Sequence, residues 1–208
     1  MALVKLNNRG VRSVSTFGSI SSLGTYTFIK KITASSSATV SFVNGSSDVV
    51  LDNTYKEYLF TFNNMHPATD GVHFQFQGNA SGGSGYNETI TSTSFSSLHK
   101  EDDGAANMAY RTAYDLAQST SFQTICSETS NSNDSGVSGY MYLFNPSDTT
   151  YVTHFIANSN NAHNAPRSEN YYVAGYFNLT SAIDEIQFKF SSGNIDAGKI
   201  KLYGIKDS

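Results

Sequence analysis

The sequence predicts an all-β protein: an antiparallel β-sandwich of jelly-roll type, with about ten short strands, at most one short helix and an extended N-terminal arm. Three observations lead there. Short runs alternate apolar and polar residues with period two, most clearly Val72, Phe74 and Phe76 against His73, Gln75 and Gln77. Clusters of Gly, Asn, Ser and Asp punctuate those runs, as hairpin turns require. The chain has 208 residues, the size of one β domain, and no composition shift or repeat divides it.

Residues 1–23 read as an arm and 24–208 as the single β domain. Leu3, Val4, Leu6, Val11, Val14 and Phe17 are apolar, but Asn7, Asn8, Arg9 and Gly10 break any period. A frayed terminus is one reading. Docking on a neighbouring subunit is preferred, because disordered tails are poor in large apolar residues.

The first strand runs from Thr25 to Ile32, and the Ser-rich stretch Ser35–Ser37 turns it into Thr39–Val43. Asn44 and Gly45 mark the next reversal. Lys56–Phe62 is a strong strand, with Tyr58, Phe60 and Phe62 on one face. A loop from Asn63 to Gly71 leads into Val72–Gln77, and Gly78–Gly85 reads as a flexible tip. Glu88–Leu98 is a Thr/Ser-rich strand. From Gly104 to Gln118 the Ala-rich spacing fits a helix or a strand with a covering loop, and the sequence leaves both open. Ser127–Gly139 reads as a polar loop, followed by strands at Tyr140–Phe144 and Tyr151–Ile156. Asn158–Asn170 again reads as polar loop. Tyr171–Phe177 leads to a closing pair, in which Ile186, Phe188 and Phe190 alternate with Gln187 and Lys189, and Ile200 and Leu202 with Lys199 and Lys201.

Composition bounds function. Only 14% of residues are charged, against roughly 25% in an average domain. Aromatic residues make up 13%, all Phe and Tyr, and the formal net charge is −4. A neutral, hydrogen-bonding surface over an aromatic core suits an assembly component. No basic patch is present to track phosphates, so no nucleic-acid partner is expected. No apolar run approaches the about 20 residues of a membrane span, and the opening residues lack a signal-peptide core, so synthesis in a cytoplasm is expected. The lone Cys126 cannot form an internal disulfide and reads as a structural thiol.

The sequence offers few groups arranged for chemistry. His66, His73, His99, His154 and His163 lack metal-ligand spacing. No nucleophile elbow or phosphate loop is present. The acidic turns at Glu101–Asp103 and Asp134 lack the dense oxygen ligands of a calcium loop. Asp184, Glu185 and Glu169 are the carboxylates from which a glycosidase pair would be built, without a motif to support one. The chain is therefore expected to be no enzyme and to carry no cofactor. Candidate contacts for a glycan or protein partner are Tyr86, Asn131, Asn133, Tyr171 and Tyr172, with the tyrosines taken as exposed.

Several phrases resemble a known group. Thr54-Tyr-Lys-Glu-Tyr-Leu-Phe-Thr-Phe, Leu143-Phe-Asn-Pro-Ser-Asp-Thr-Thr-Tyr-Val-Thr-His-Phe and Gln187-Phe-Lys-Phe-Ser-Ser-Gly-Asn-Ile-Asp-Ala-Gly resemble segments of structural proteins of tailed marine bacteriophages, particularly those infecting cyanobacteria. The resemblance extends over most of the chain from about Ser19 and brings no catalytic residues with it. It implies a virion protein on the particle exterior, foremost a capsid decoration or cement protein attached through the arm. The alternative is a tail, collar or fibre component that recognises host-surface glycan. Expected partners are the major capsid protein or a tail or collar protein, together with further copies of the chain.

Overall fold

The computed structural model describes residues 25–206. They form twelve strands: β1 (Tyr26–Ser37), β2 (Val40–Val43), β3 (Glu57–Pro67), β4 (Val72–Ala80), β5 (Ile90–Lys100), β6 (Ala106–Tyr110), β7 (Gln123–Thr129), β8 (Val137–Phe144), β9 (His154–Ala162), β10 (Arg167–Phe177), β11 (Ile183–Phe190) and β12 (Ile195–Ile205). All pairings are antiparallel. Eight strands form one sheet in the order β1-β12-β3-β8-β9-β10-β5-β6, and four form a second in the order β2-β11-β4-β7. The protein is a β-sandwich.

The alternating runs make the core. Tyr58, Phe60 and Phe62 turn inward from β3, Phe74 and Phe76 from β4, and Phe188 and Phe190 from β11. Phe188 is the hub: its ring centroid lies 5.4 Å from Phe60, 5.2 Å from Phe62, 5.9 Å from Phe74, 6.2 Å from Phe76 and 6.4 Å from Phe42. These are the distances at which aromatic pairs attract beyond simple burial. Rings from both sheets meet there, and the contact clamps the sandwich.

The structure decides between the two readings left open for residues 104–118 and differs from the sequence reading in other places. Among the described residues no helix occurs, and residues 104–118 form edge strand β6 followed by turns. The Ala-rich face has no apolar partner to bury against. Pairing with β5 from Phe95↔Tyr110 to His99↔Ala106 satisfies the backbone instead. The polar stretch Asn158–Asn170 is not a loop but the end of β9, a tight turn and the start of β10. The loop expected at Ser127–Gly139 shrinks, because β7 runs to Thr129 and β8 begins at Val137. β3 also continues through Met65 to Pro67, past a register shift at Asn64, whose φ of 49° lies in the left-handed region. The arm residues Leu3, Val4, Leu6, Val11, Val14 and Phe17 lie outside the described residues.

Truncating the hub should be costly. Phe188→Ala is expected to destabilise the protein by about 3–5 kcal/mol, the usual cost of emptying a buried Phe site. The midpoint of urea unfolding measures it; a loss below about 1 kcal/mol would contradict the hub assignment.

Candidate functional site

The four-stranded sheet cannot back all eight strands of its partner, and the inward positions toward β5 change character. Ser92, Ser94 and Ser96 of β5, Ser159 and Asn161 of β9, and Glu169 of β10 are buried there. The segment after β6 folds across them. The Arg111 N–H donates to the Ser94 carbonyl at 2.8 Å, and the Leu116 N–H donates to Ser92 Oγ at 2.9 Å. Ser92 donates in turn to Gln123 Oε1 at 2.6 Å, and Gln123 Nε2 donates to the Tyr114 carbonyl at 2.8 Å. A covering loop takes over where the second sheet stops.

Glu169 stands at the centre of this region, fully buried. Its Oε1 accepts from Ser96 Oγ and from Arg111 Nη2, both at 2.7 Å, while Arg111 Nε donates to Ser96 Oγ at 2.7 Å. Its Oε2 accepts from Arg167 at 2.9 Å and 3.0 Å. Burial alone would push the carboxyl up. The Ser96 and Tyr171 hydroxyls and the Arg167 and Arg111 cations more than offset that, so its pKa lies below the ordinary value and Glu169 is ionised. His163 sits beside it, buried. The Ala165 N–H donates to Nδ1 at 2.9 Å, while Nε2 lies 2.7 Å from Glu128 Oε2 and 2.5 Å from Arg167 Nη2. Burial, then the neighbouring Arg167 cation, hold His163 below its ordinary pKa.

The arrangement holds the Glu169 charge in place between two guanidinium groups. Two guanidinium groups already occupy the positions around Glu169 that a cation would take. Among the described residues no group of three or more His, Cys, Asp or Glu is placed to hold a metal ion. Cys126, close by on β7, is fully buried, and burial pushes its thiol up to about 12, far from the thiolate that nucleophilic chemistry needs.

The residues expected to touch a partner are scattered. Tyr171 was expected to be exposed and is instead buried, its hydroxyl bonded to Ser127. The pleat of β10 explains this: neighbours in a strand face opposite sides, so Tyr171 and Tyr172 cannot share a surface. Tyr172 is 43% exposed and stacks on Phe95 with centroids 4.9 Å apart. Tyr86 is half-buried in the β4–β5 loop, where its hydroxyl donates to Glu185 Oε2 at 2.7 Å. Asn131 and Asn133 lie exposed between β7 and β8, with the Asn131 backbone N–H donating to Asp70 Oδ1 at 3.2 Å. Of the carboxylates weighed for a glycosidase pair, Glu169 is enclosed by arginines and Glu185 is engaged by Tyr86.

What the sequence reading missed is the outer face of the larger sheet. Cross-strand register joins Phe28, Tyr203, Leu59, Tyr142 and Ile156 into one row running from β1 to β9. A parallel row carries Tyr140, Asn158, Tyr172, Phe95 and Tyr110 from β8 to β6. Phe28, Tyr140, Ile156, Tyr172 and Tyr110 are all exposed. The rings hold one another: Phe28 and Tyr203 are 5.7 Å apart, as are Tyr140 and Tyr142. A signal was present, since Tyr140, Tyr142 and Phe144 recur at period two, but it marks which residues share a face and not which face is outward.

No family model matches the chain, and neither a curated protein nor a solved structure matches it.

The ion cluster generates a pH dependence. The folded pKa values of Glu169 and His163 both lie below their ordinary values of 4.5 and 6.5. Each group therefore contributes stability that is complete above its ordinary value and is lost as pH falls through its folded value. Stability should decline first below 6.5 and again below 4.5. Glu169→Gln should diminish the lower step, to which Asp52 and Asp148 also contribute, and cost about 3 kcal/mol at neutral pH, because it strands two guanidinium groups. Urea midpoints taken on either side of both values check this; an unchanged lower step in the variant would contradict it.

Proposed function

We propose that this chain is a non-enzymatic structural protein of a tailed-phage virion, displayed on the particle exterior as a capsid decoration or cement protein and attached through residues 1–23. The observation that carries the reading is the order in which the strands connect. Setting aside the hairpins β5–β6 and β9–β10, β1-β12-β3-β8 faces β2-β11-β4-β7. With those hairpins set aside, the chain changes sheet from β1 to β2, from β2 to β3, from β3 to β4, from β7 to β8, from β8 to β11 and from β11 to β12. We read this as a jelly roll widened by two inserted hairpins, an architecture that builds capsid and lectin domains. That step is an analogy of fold.

Two further features support it. The buried ionisable groups around Glu169 are consumed in holding the sandwich together, which fits adhesion better than turnover. The outer face of the larger sheet carries exposed rings in contiguous rows, as surfaces that meet other molecules do. The phrases that resemble phage structural proteins supply the setting. Partners on this reading are the major capsid protein and further copies of the chain, and the shell gains stability from the area each attached copy buries.

Quantifying the protein in purified particles tests the location. Hundreds of copies per particle are expected; a few to a few dozen would move the protein to the tail, collar or fibre. Deleting Met1–Phe17 should abolish attachment and leave the strand signature in circular dichroism unchanged. Undiminished attachment would overturn the role of the arm.

A further inference from the structure

The outer face of β9, β10 and β5 has a shape that the remainder of the sheet lacks. Three cross-strand rows lie side by side there. One joins His154, Tyr176 and Thr91; the next joins Ile156, Ala174 and Thr93; the third joins Asn158, Tyr172 and Phe95. The middle row is short-chained at Ala174 and Thr93, while the flanking rows carry rings. The result is a floor between aromatic walls, with two adjoining depressions of about 360 and 210 Å³ that share Thr93, Ile156 and Ala174. Tyr172 and Tyr176 are four residues apart on one strand, about 13 Å at roughly 3.3 Å per residue.

The walls are ordered in advance. Phe95 and Tyr172 stack at 4.9 Å with their planes within 12° of parallel, and His154 and Tyr176 lie 5.7 Å apart. Beneath the floor, Gly175 has no room for a side chain: a Cβ there would come within 2.5 Å of the Thr91 carbonyl and 2.8 Å of the Phe155 ring. That close approach keeps β10 and β5 tightly paired under the trough. A ligand meets rings that need no rearrangement, which lowers the cost of binding.

The chemistry of the lining selects the occupant. No Asp, Glu, Lys or Arg lines either depression. The polar groups are instead the hydroxyls of Tyr140, Tyr172, Tyr176, Thr91 and Thr93 and the side chains of Asn158 and His154. The contrast within the sheet is sharp, since toward β1 the same face presents Lys31 opposite Lys201. A polyanion would find no cation in the trough. The open, shallow form offers no enclosed cavity for an acyl chain. A pyranose ring fits the pattern: its C–H face packs on an aromatic ring, and its hydroxyls exchange hydrogen bonds with hydroxyls and amides at the rim.

We propose that this trough binds a neutral polysaccharide, whose sugar rings pack against the walls at Tyr172 and Tyr176 across the floor formed by Ala174 and Thr93. The site differs from the loop contacts that the sequence suggested, and it belongs to the isolated chain wherever that chain is mounted.

Calorimetric titration of the full chain with neutral hexasaccharides of glucose, mannose, galactose and N-acetylglucosamine tests it, with a galacturonate hexamer as the anionic comparison. Saturable binding of at least one neutral probe is expected, with little dependence on salt. Tyr172→Ala and Tyr176→Ala should each weaken it about tenfold or more, as loss of a central aromatic contact does. Ala174→Leu, which fills the floor and leaves the walls, should weaken it similarly. Tyr151→Ala, at an exposed residue outside the trough, should leave it unchanged, and circular dichroism on every variant separates loss of binding from loss of fold. Three results would overturn the proposal: no neutral probe binds; binding survives the wall and floor variants; or only the galacturonate hexamer binds, in a salt-sensitive manner. Sedimentation distinguishes the other occupant. If the wall variants dissociate an oligomer while no probe binds, the face receives a second copy of the chain and the glycan assignment falls. None of these outcomes touches the particle assignment, which is read from copy number.

Discussion

An eight-stranded sheet backed by a four-stranded one leaves inward-facing strand surface with no opposing sheet, and the structure is organised around how that surface is closed. At the β3–β4–β11 end the closure is aromatic, centred on Phe188. At the β9–β10–β5 end it is polar, a covering loop tied down through Glu169, Arg111, Arg167 and Ser96. The two solutions differ in kind. Aromatic packing tolerates small shifts, since dispersion and burial are weakly directional. A buried carboxylate tolerates almost none, because any donor that moves away leaves a charge in a medium that solvates it poorly.

That intolerance reaches the outer face. A strand that slips by one residue exchanges its two faces. In β10 such a slip would bring Tyr172 into the core and carry Glu169 and Tyr171 to the surface, away from Arg111 and Ser127. The register of β10 against β5 and β9 is therefore fixed from inside, over eleven paired positions on one side and nine on the other. The alignment of Tyr176 with His154 and of Tyr172 with Phe95 follows from it. The rings of the outer rows are positioned by charges they never touch.

The same division explains what could be read from the sequence. β3, β4, β11 and β12 were legible because their inward residues are Phe, Tyr, Ile and Leu and their outward residues are polar, so period two and burial coincide. The second half of β9 and the first residues of β10 were not, because the inward residues are Ser159, Asn161 and Glu169 and the outward ones include Asn158, Asn160 and Asn170. Polarity on both faces looks like a loop. Residues 104–118 stayed open between helix and strand for a related reason: an Ala-rich edge strand with little to bury has no pattern of its own, and the partner strand decides its conformation. Tyr171 could be assigned to neither face from the pair Tyr171–Tyr172 alone. The candidate trough was hidden more thoroughly, since its three rows come from residues near 92, 155 and 174, which only the sheet order brings together.

The sheet order also sets how the proposed roles divide. β1, the first strand in the chain, is an edge strand, and β10 lies five strands away across β12, β3, β8 and β9. At roughly 4.8 Å per strand that is about 24 Å. On the proposed reading, an arm anchored to a shell beside β1 would leave the trough at the far side of the same sheet. Attachment and recognition would then share one rigid surface without competing for it. The lysines Lys31 and Lys201 sit on the β1 side of that surface, where a shell contact would cover them, and the uncharged stretch lies on the far side. The hairpins β5–β6 and β9–β10, which on the proposed reading are insertions in a jelly roll, supply most of the trough. It follows that the inserted hairpins, rather than the strands common to the sandwich, would set what the protein recognises, and that the ion cluster beneath them is needed to hold the insertions in register.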